Sequence, residues 1–365
     1  PSIVSSPPKI VRFIGESKMR LSHSTSGWFH KKFAFMKHRA LEFRASGYTR
    51  RHLLRVPIKL RKSDSTAASL IDISKNSHGR LEIEMDENWA KSKGGFSTIW
   101  RRIGVFVDFL SANTIPQGIW RADLGDWVQE DGLVTGFCSA HSQSLLIPDR
   151  GFIYSTGYTK QRRLAAQGPN WLERKPNIVW RGTASGSGLY TTSQMDWQDE
   201  NLLQRVRLCL LSQQLQHKNP ALPVDCAITR IPHQDNLMAE RLQKASVLGD
   251  RVPAHSWLNN QFAIDIDGNA NAFTNFFTRL LFGCCVLKVA SPLNFRQWYY
   301  NRLKPWVHFI PVAANLSDFE TKVHWCFDHQ QRCRDIARAG QSLAFSMNYR
   351  HERQLAIKTL ATATI

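Results

Sequence analysis

The sequence lacks the cysteine pattern of a disulfide-bonded or zinc-binding protein. Its seven cysteines are odd in number, and no two of them have CxxC spacing. Disulfide frameworks and structural zinc sites both need paired cysteines at short, regular spacings. We therefore expect the cysteines to be buried as small apolar residues in a reducing compartment.

Long hydrophobic runs are also absent. The most apolar stretch, residues 280–289, contains Gly283 and Lys288, and it is shorter than the roughly 20 apolar residues that cross a bilayer. No signal peptide of the usual form is recognisable at the start, where the first residue is Pro1. These features predict a cytoplasmic protein, with a peripheral position at the inner membrane as a further option.

Length and charge set the remaining limits. A chain of 365 residues with 42% hydrophobic residues can build two domains of ordinary size. The 48 lysines and arginines exceed the 29 acidic residues and give a formal net charge of +19. Such an excess favours anionic partners: nucleotide diphosphates, sugar phosphates, acidic lipid headgroups or nucleic acid.

The basic excess is concentrated in residues 1–60, where lysines and arginines alternate with aromatic residues. Three interpretations are open. The segment could present a solvated basic face, bind single-stranded nucleic acid, or lie on an anionic membrane surface. A solvated basic face is the most common case for such a segment. Nucleic acid is not expected as a partner, because only the charge and the aromatic content of the segment support nucleic-acid binding.

The rest of the chain has the periodicity of an α/β protein. Residues 69–74 and 80–85 alternate apolar and polar residues and predict two strands joined by a turn. The denser apolar run at residues 103–110 is interpreted as a third strand. Two short proline-containing segments, 168–170 and 175–177, predict a domain boundary. Beyond them strands alternate with helices, which predicts a parallel sheet covered on both faces. The predicted strands are 177–182, 261–268, 284–289 and 307–312, and the predicted helices are 201–215, 272–282, 321–329 and 335–346.

Two glycine-containing loops follow predicted strands in this half. One begins at Trp180-Arg181-Gly182-Thr183, and the other at Asp265-Ile266-Asp267-Gly268. Arginine forks, backbone N–H groups of glycine loops and helix N-termini all bind phosphate oxygens. The alternative is a pair of ordinary turns, with Asp265 facing the surface and Asp267 forming the turn.

Two carboxylates and one histidine are candidates for acid–base chemistry. Asp123 and Asp126 flank a glycine beside Trp127, and a carboxylate partly removed from water can act as a general base. An ordinary loop aspartate is an equal alternative. His308, on a predicted apolar strand, is more often a satisfied core histidine than a catalyst. The sequence contains no P-loop, nucleophile elbow, kinase or HExxH signature. It also has no DxD-type cluster set among polar loops, since Asp265 and Asp267 belong to a predicted strand, and a metal-dependent diphosphate site is therefore not favoured.

Several of these segments resemble, together and in the same order, glycosyltransferase family 90, which includes capsule-associated transferases and protein O-glucosyltransferases of the Rumi type. The most specific similarity is LKPWVHFIPV at residues 303–312, followed by NLSDF at 315–319. Weaker matches are residues 180–182, 266–273, 283–288 and 336–340. The resemblance covers residues 120–340.

The resemblance implies a GT-B fold, in which two Rossmann-like domains with parallel sheets face each other, and inverting transfer without a metal or cofactor. The nucleotide sugar is then a substrate, and Asp126 is the base. The implied donor-binding residues are Arg181, Gly182, Thr183, Ser185, Asp267, Gly268, Phe273, Thr274 and Arg279; the implied acceptor cleft contains Asp123, Trp127 and His308. The corresponding regions are a basic segment (1–60), an acceptor-side domain (61–170), a donor domain (171–335) and C-terminal helices (336–365) that pack back on the acceptor-side domain.

Two family arginines are missing. Ala184 stands where the family has the second arginine of "FRGSR", and Thr274 or Asn275 stands where it has the arginine of "SFRF". Either Arg181 and Arg279 compensate, or the donor differs from a UDP-glucose or UDP-xylose type, or the chain is an inactive sugar-nucleotide-binding homologue. The expected acceptor is a hydroxyl of a glycan, lipid-linked sugar or protein, foremost lipopolysaccharide or capsular glycan. A basic nucleic-acid-binding protein is the alternative from another class.

Overall fold

The computed structural model describes residues 56–62, 69–93, 97–232 and 236–363. The predicted basic segment, residues 1–60, lies outside the described residues except for its last five. The described chain is built on two β-sheets with helices against them, so the predicted α/β class is confirmed. Within these ranges, no helix combines the length and apolarity that a membrane crossing requires.

The first sheet contains six strands in the order β1-β3-β2-β4-β5-β6. Their bounds are β1 Ile58–Arg61, β2 Leu70–Lys75, β3 Leu81–Asp86, β4 Gly118–Asp123, β5 Thr135–Gly136 and β6 Leu145–Leu146. Strand β2 runs antiparallel to β3 and β4, whereas the other pairs are parallel. This sheet is therefore mixed and not parallel throughout. The reason is the tight turn at residues 76–79, where the Asn76 side chain accepts the N–H groups of His78 and Arg80, because a short turn can join only antiparallel strands.

The predicted strand at residues 103–110 is wrong, because this run lies in a helix. Helix α1 is Glu87–Lys93 and α2 is Ser97–Leu110. Ile103, Val105, Phe106, Val107, Phe109 and Leu110 are all buried. A helix buried on nearly every side shows no polar face, so its sequence cannot be distinguished from a buried strand by periodicity.

The second sheet is parallel throughout, as predicted for this half of the chain, and has the order β11-β10-β9-β7-β8. Its strands are β7 Lys175–Thr183, β8 Val224–Arg230, β9 Asn260–Asp265, β10 Cys285–Val289 and β11 Ile310–Val312. Strand β8 was not predicted, and β11 begins three residues later than expected. The strand order reverses between β7 and β9, because β8 lies on one side of β7 and β9 to β11 follow on the other. Ligands of open α/β sheets bind at the carboxyl ends of strands at such a switch point.

The next helices along the chain are α3 Arg150–Tyr154, α4 Thr159–Ala166, α5 Gln204–Lys218, α6 Asn236–Lys244, α7 Thr274–Leu281, α8 Phe319–Asp328 and α9 Gln330–Ser346. Helix α5 packs against β8, α7 against β9 and β10, α8 against β11, and α9 against β10 of the second sheet. We call the described residues from 56 to 170 the first unit and those from 171 to 346 the second unit. Alternate residues of β7 face different cores: Ile178 and Trp180 pack in one cluster, and Val179 packs in another that also contains α7 and the interior of the first unit. Phe277 of α7 lies 5.7 Å from the Phe152 ring and 5.3 Å from the Tyr158 ring. Helix α7 therefore joins the two units through one apolar core.

The last helix, α10 (Tyr349–Ala361), returns to the first unit. Trp120 of β4 donates its indole N–H to the Leu360 carbonyl at 3.0 Å, and the Arg353 guanidinium donates to Asp108 of α2 at 3.1 Å. Leu360 is buried in the same cluster as Trp120. Helix α10 thus completes the core of the first unit, whereas α9 packs against α7 and β10.

All seven cysteines are buried free thiols, as expected.

Candidate functional site

The loops that follow β7 and β9 meet at the switch point. The Gly186 N–H group donates to the Asn269 side-chain oxygen at 3.1 Å, which joins the two loops directly. Ser185, Asp267 and Gly268 line a small cavity of about 90 Å³ between them. The structure therefore brings these three predicted donor-binding residues together.

Arg205 of α5 holds the two loops in place, and sequence analysis missed it. Its Nη1 donates to the Thr183 carbonyl at 3.0 Å and to the Ser185 hydroxyl at 2.8 Å. Its Nε donates to the Asp267 carbonyl at 2.8 Å and its Nη2 to the Ile266 carbonyl at 3.0 Å. Burial lowers the pKa of Arg205 to about 10, so the guanidinium stays charged at neutral pH. The sequence contained one sign of this role, namely that Arg205 lies among the apolar residues of the predicted helix 201–215.

Gly268 is required by this arrangement. A Cβ at residue 268 would stand 2.6 Å from the Ser185 hydroxyl and 2.9 Å from the Arg205 guanidinium. Neither group can retreat without losing its hydrogen bonds. The glycine therefore permits the close approach of the two loops.

Beside these loops is a larger cavity of about 480 Å³, here called the arginine cavity. Five arginines line it, namely Arg181, Arg205, Arg230, Arg251 and Arg279, and no aspartate or glutamate does. Gly182 and Thr183 contribute from β7, and Asn275 from the first turn of α7. Guanidinium groups, the end of β7 and the first turn of α7 therefore all line the arginine cavity.

The five arginines differ in how far they are already paired. Arg181 forms an ion pair with Asp225 at 2.5 Å, and Arg279 lies 3.5 Å from Asp265. Arg230 and Arg251 are exposed and make no ion pair within the described part of the chain. The cavity therefore keeps an uncompensated positive charge, which suits an anionic ligand.

Under α7 lies a buried ion cluster. Lys288 of β10 places its ammonium 3.0 Å from Asp265 Oδ2 and 2.9 Å from Asp267 Oδ1. Burial alone would lower the pKa of Lys288, but the charges of the two aspartates outweigh it and raise that pKa. Asp265 is fully buried, so the alternative of a surface-facing Asp265 is wrong.

Lys288→Met should destabilise the protein by about 3 kcal/mol, because it leaves Asp267 buried without a cation and Asp265 with Arg279 alone. Urea unfolding would measure the change. Lys244→Met is the control, since Lys244 is exposed and pairs with Glu240 on the helix surface. Equal stabilities of the two variants would contradict this account of the cluster.

The two predicted carboxylates of the first unit have different environments. Asp123 is buried and accepts the N–H groups of Gly125 and Gln129 at 2.7 and 3.0 Å, while burial raises the pKa of its carboxyl. The Asp126 side chain is 42% exposed and accepts from the Arg102 guanidinium at 2.7 Å. Asp123 therefore shapes the loop, whereas the Asp126 carboxylate remains partly exposed beside the Arg102 guanidinium. Arg102, which also donates to the Leu124 carbonyl at 2.6 Å, was missed in the sequence.

This loop faces the second unit close to the switch point. The Arg102 guanidinium lies 5.8 Å from the Phe273 ring, and the Trp127 ring lies 5.5 Å from the Phe295 ring. Phe273 has a φ of +41° directly before α7, a backbone conformation that side chains rarely adopt. Nearby, Arg296 donates to the carbonyls of His141 and Ser142 across the two units. Arg102 and Trp127 therefore bring the Asp126 loop close to Phe273 and Phe295 of the second unit.

Two predicted site residues lie elsewhere. The Thr274 hydroxyl lies close to Gly151 of α3, since a Cβ added at Gly151 would be 2.9 Å from the hydroxyl oxygen. The Thr274 side chain therefore faces the first unit. His308 lies in the turn before β11, not in a strand, and its Nδ1 accepts the Lys304 N–H at 2.9 Å. The amino end of β11, which His308 precedes, and the carboxyl ends of β7 and β9, where the switch-point loops begin, lie at opposite ends of the parallel strands. The structure therefore does not bring His308 to the other predicted residues.

Fold and site together define a two-unit α/β protein with an arginine-lined cavity beside its switch point and a half-exposed carboxylate, Asp126, in a loop of the first unit whose Trp127 packs against Phe295. The family profile described as "Glycosyl transferase family 90" matches residues 158–350, more than half of the chain. The chain belongs to this family, in agreement with the resemblance seen in the sequence.

Individual relatives are more distant. The chain is 27% identical over 249 residues to human "Protein O-glucosyltransferase 3", covering 63% of this chain and 43% of that protein. It is 25% identical over 302 residues to "Protein O-glucosyltransferase 2" of Danio rerio, covering 77% and 54%. It is also 25% identical over 191 residues to "Uncharacterized protein 179R" of Invertebrate iridescent virus 6, covering 49% and 16%. The chain spans about half or less of the length of these relatives.

Among solved structures, Anabaena HepE in complex with UDP and glucose is similar with a TM-score of 0.41 and 13% identity, covering 94% of this chain and 84% of that one. The pneumococcal O-GlcNAc transferase GtfA in complex with UDP and GlcNAc is similar with a TM-score of 0.35 and 11% identity, covering 55% and 37%.

Proposed function

We propose that the chain transfers a sugar from a nucleotide-sugar donor to a hydroxyl acceptor, with the donor diphosphate bound in the arginine cavity. The observation that carries this proposal is the set of five arginines, without a carboxylate among the lining residues, beside the carboxyl ends of β7 and β9. Guanidinium forks match the oxygens of phosphate groups. The first turn of α7, which contributes Asn275, adds a favourable potential for an anion.

The chemistry follows from the two sides of the cleft. Asp126 accepts the proton of the acceptor hydroxyl while the acceptor oxygen forms a bond to the anomeric carbon. The bond from that carbon to the diphosphate oxygen breaks, and its electron pair leaves with the diphosphate. Attack from the opposite face inverts the configuration. Guanidinium groups, instead of a metal ion, stabilise the charge on the leaving group in this proposal.

The arginines of this chain support donor binding despite the two missing family positions. Arg230 and Arg251 belong to segments outside the motifs where the family arginines occur, yet both line the same cavity as Arg181. They offer cationic contacts that Ala184 and Asn275 cannot make. This favours a functional donor site over an inactive homologue.

Donor and acceptor classes rest on the family. Relatives named protein O-glucosyltransferases support a glucose-type donor and a hydroxyl acceptor. We propose a UDP-glucose or UDP-xylose type of donor and, as acceptor, lipopolysaccharide or capsular glycan at an anionic membrane surface. Product analysis after incubation with candidate nucleotide sugars would test each assignment.

UDP should raise the unfolding temperature. A ligand present at about 100 times its Kd stabilises the folded state by about 2.7 kcal/mol. The double variant Arg230→Gln/Arg251→Gln should weaken UDP binding about 10- to 100-fold, because each arginine contributes a charge-assisted contact. Calorimetric titration would measure both effects.

The control is Lys244→Gln, which removes a charge on α6 outside the arginine cavity. A protein that is stabilised by an oligonucleotide and not by UDP would support the nucleic-acid alternative and refute the proposed donor site.

A further inference from the structure

A second cavity lies on the other side of α7 from the arginine cavity. It has a volume of about 400 Å³, which is within the usual range of about 300–1,000 Å³ for small-molecule sites. Its aromatic walls are Phe276, Phe295, Tyr300 and Phe309. We call it the aromatic cavity. None of the donor-binding or catalytic residues proposed above lines it.

The family-like block at residues 303–312 surrounds this cavity. Leu303, Pro305, Phe309, Pro311 and Val312 all line it. The block is the most specific part of the sequence resemblance, yet it contributes nothing to the arginine cavity. A role in the aromatic cavity therefore gives this block a function that the donor site does not.

The aromatic cavity is suited to a neutral ligand. Lys288 is the cation that lines it, and its ammonium is neutralised by Asp265 at 3.0 Å and Asp267 at 2.9 Å. Phosphate would find no uncompensated positive charge here, in contrast to the arginine cavity. The diphosphate and the ligand of the aromatic cavity are therefore different chemical groups.

Hydrogen-bonding groups stand among the aromatic walls. The buried Tyr300 hydroxyl has no partner apart from the neighbouring Tyr299 hydroxyl, and Ser291 and Asn294 also line the cavity. A pyranose ring combines an apolar C–H face with hydroxyl groups at its edge. Such a ring would pack on the aromatic walls and satisfy the Tyr300 hydroxyl, which otherwise remains an unfavourable buried group.

Phe295 links the aromatic cavity to the loop that carries the proposed base. Phe295 lines both this cavity and the small cavity between the switch-point loops. Its ring lies 5.5 Å from the ring of Trp127, which follows Asp126 in the chain. A sugar against Phe295 can therefore extend a hydroxyl towards the cleft.

We propose that the aromatic cavity binds a neutral saccharide unit of the acceptor, stacked on Phe295 and Phe309 and hydrogen-bonded by Tyr300. This rests on the proposed function, because it supplies the acceptor side of the same transfer reaction. The chemical class it assigns to this cavity is an uncharged sugar residue of the acceptor.

A pair of matched variants separates the two cavities. Ala290 lines the aromatic cavity and Ala254 lines the arginine cavity, and both side chains are exposed. Ala290→Trp should fill the aromatic cavity, and Ala254→Trp should fill the arginine cavity. Binding of methyl β-D-glucopyranoside by saturation-transfer NMR and binding of UDP by thermal shift are measured on both proteins. Tyr300→Phe removes one hydroxyl with little change in volume and serves as a milder variant.

We expect Ala290→Trp to weaken glucoside binding at least tenfold and to keep the UDP shift, whereas Ala254→Trp should do the reverse. Tyr300→Phe should weaken glucoside binding about fivefold. Glucoside binding that is unaffected by Ala290→Trp and by Tyr300→Phe would overturn the proposal, as would uridine displacing the glucoside, which would assign the cavity to the donor base. No glucoside binding together with a normal UDP shift refutes the acceptor site alone. A missing UDP shift in the unmodified protein refutes the proposed function and this inference with it.

Discussion

Asp126→Asn is expected to lower sugar transfer by about 100- to 10,000-fold while leaving the UDP thermal shift close to normal. Asparagine keeps the shape of the side chain and can still contact Arg102, but it cannot accept the proton of an attacking hydroxyl. The loss therefore reflects the usual contribution of a general base. Single-turnover product formation with a saturating donor would measure it.

Asp131→Asn is the matched control for this experiment. Asp131 belongs to the same connection between β4 and β5, its side chain is 74% exposed, and its partner is His141 at 3.6 Å. It should keep normal turnover. Substantial transfer by Asp126→Asn would remove Asp126 from the role of base, whereas an equal loss in both variants would point to damage of the loop.

Arg205→Met should have the second largest effect, because four buried or half-buried acceptors lose their donor at once. Each buried acceptor without a partner costs about 1–3 kcal/mol, so we expect a loss of about 4 kcal/mol of unfolding free energy. The loops of Ser185 and Gly268 would also separate, and UDP affinity should fall with them. Urea unfolding and calorimetric titration would measure the two effects.

The comparison is Arg334→Met, which removes the same group from the exposed surface of α9. Surface substitutions of this kind usually change stability by less than about 0.5 kcal/mol. If Arg205→Met retained both stability and UDP affinity, Arg205 would not hold the donor loops together.

The second sheet could be predicted because its signals are local. Apolar runs such as Cys285–Val289 end at loops with glycine or polar residues, and parallel strands place those loops at one edge. The proximity of Ser185 to Gly268 follows from that rule. The strand predicted at residues 103–110 was wrong for a related reason. Burial of this helix on nearly every side removes the regularly spaced polar residues by which a helix is recognised.

The polar framework of the site could not be predicted, because its partners are distant in sequence. Arg205 is 62 residues from Asp267, and Arg102 is 24 residues from Asp126. No periodicity marks such pairs, since each depends on how two elements pack. Arg230 and Arg251 are a similar case: they come from different segments and share the arginine cavity only after folding.

The resemblance to the family included the loops that meet at the switch point, but it did not predict the position of each residue. His308 belongs to the most specific motif, yet it closes a turn through the Lys304 N–H. Its neighbours Pro305, Phe309 and Pro311 line the aromatic cavity instead. A motif can therefore be specific to a family although its histidine hydrogen-bonds to the backbone of its own turn.

The return of α10 to the first unit has a consequence for synthesis. Nascent chains fold from the N-terminus as they leave the ribosome. Trp120 lies in an early strand, but the Leu360 carbonyl that accepts its indole proton is made 240 residues later. The first unit therefore remains incomplete until α10 has been synthesised, and chaperones that protect apolar surface should bind the nascent chain until that helix emerges.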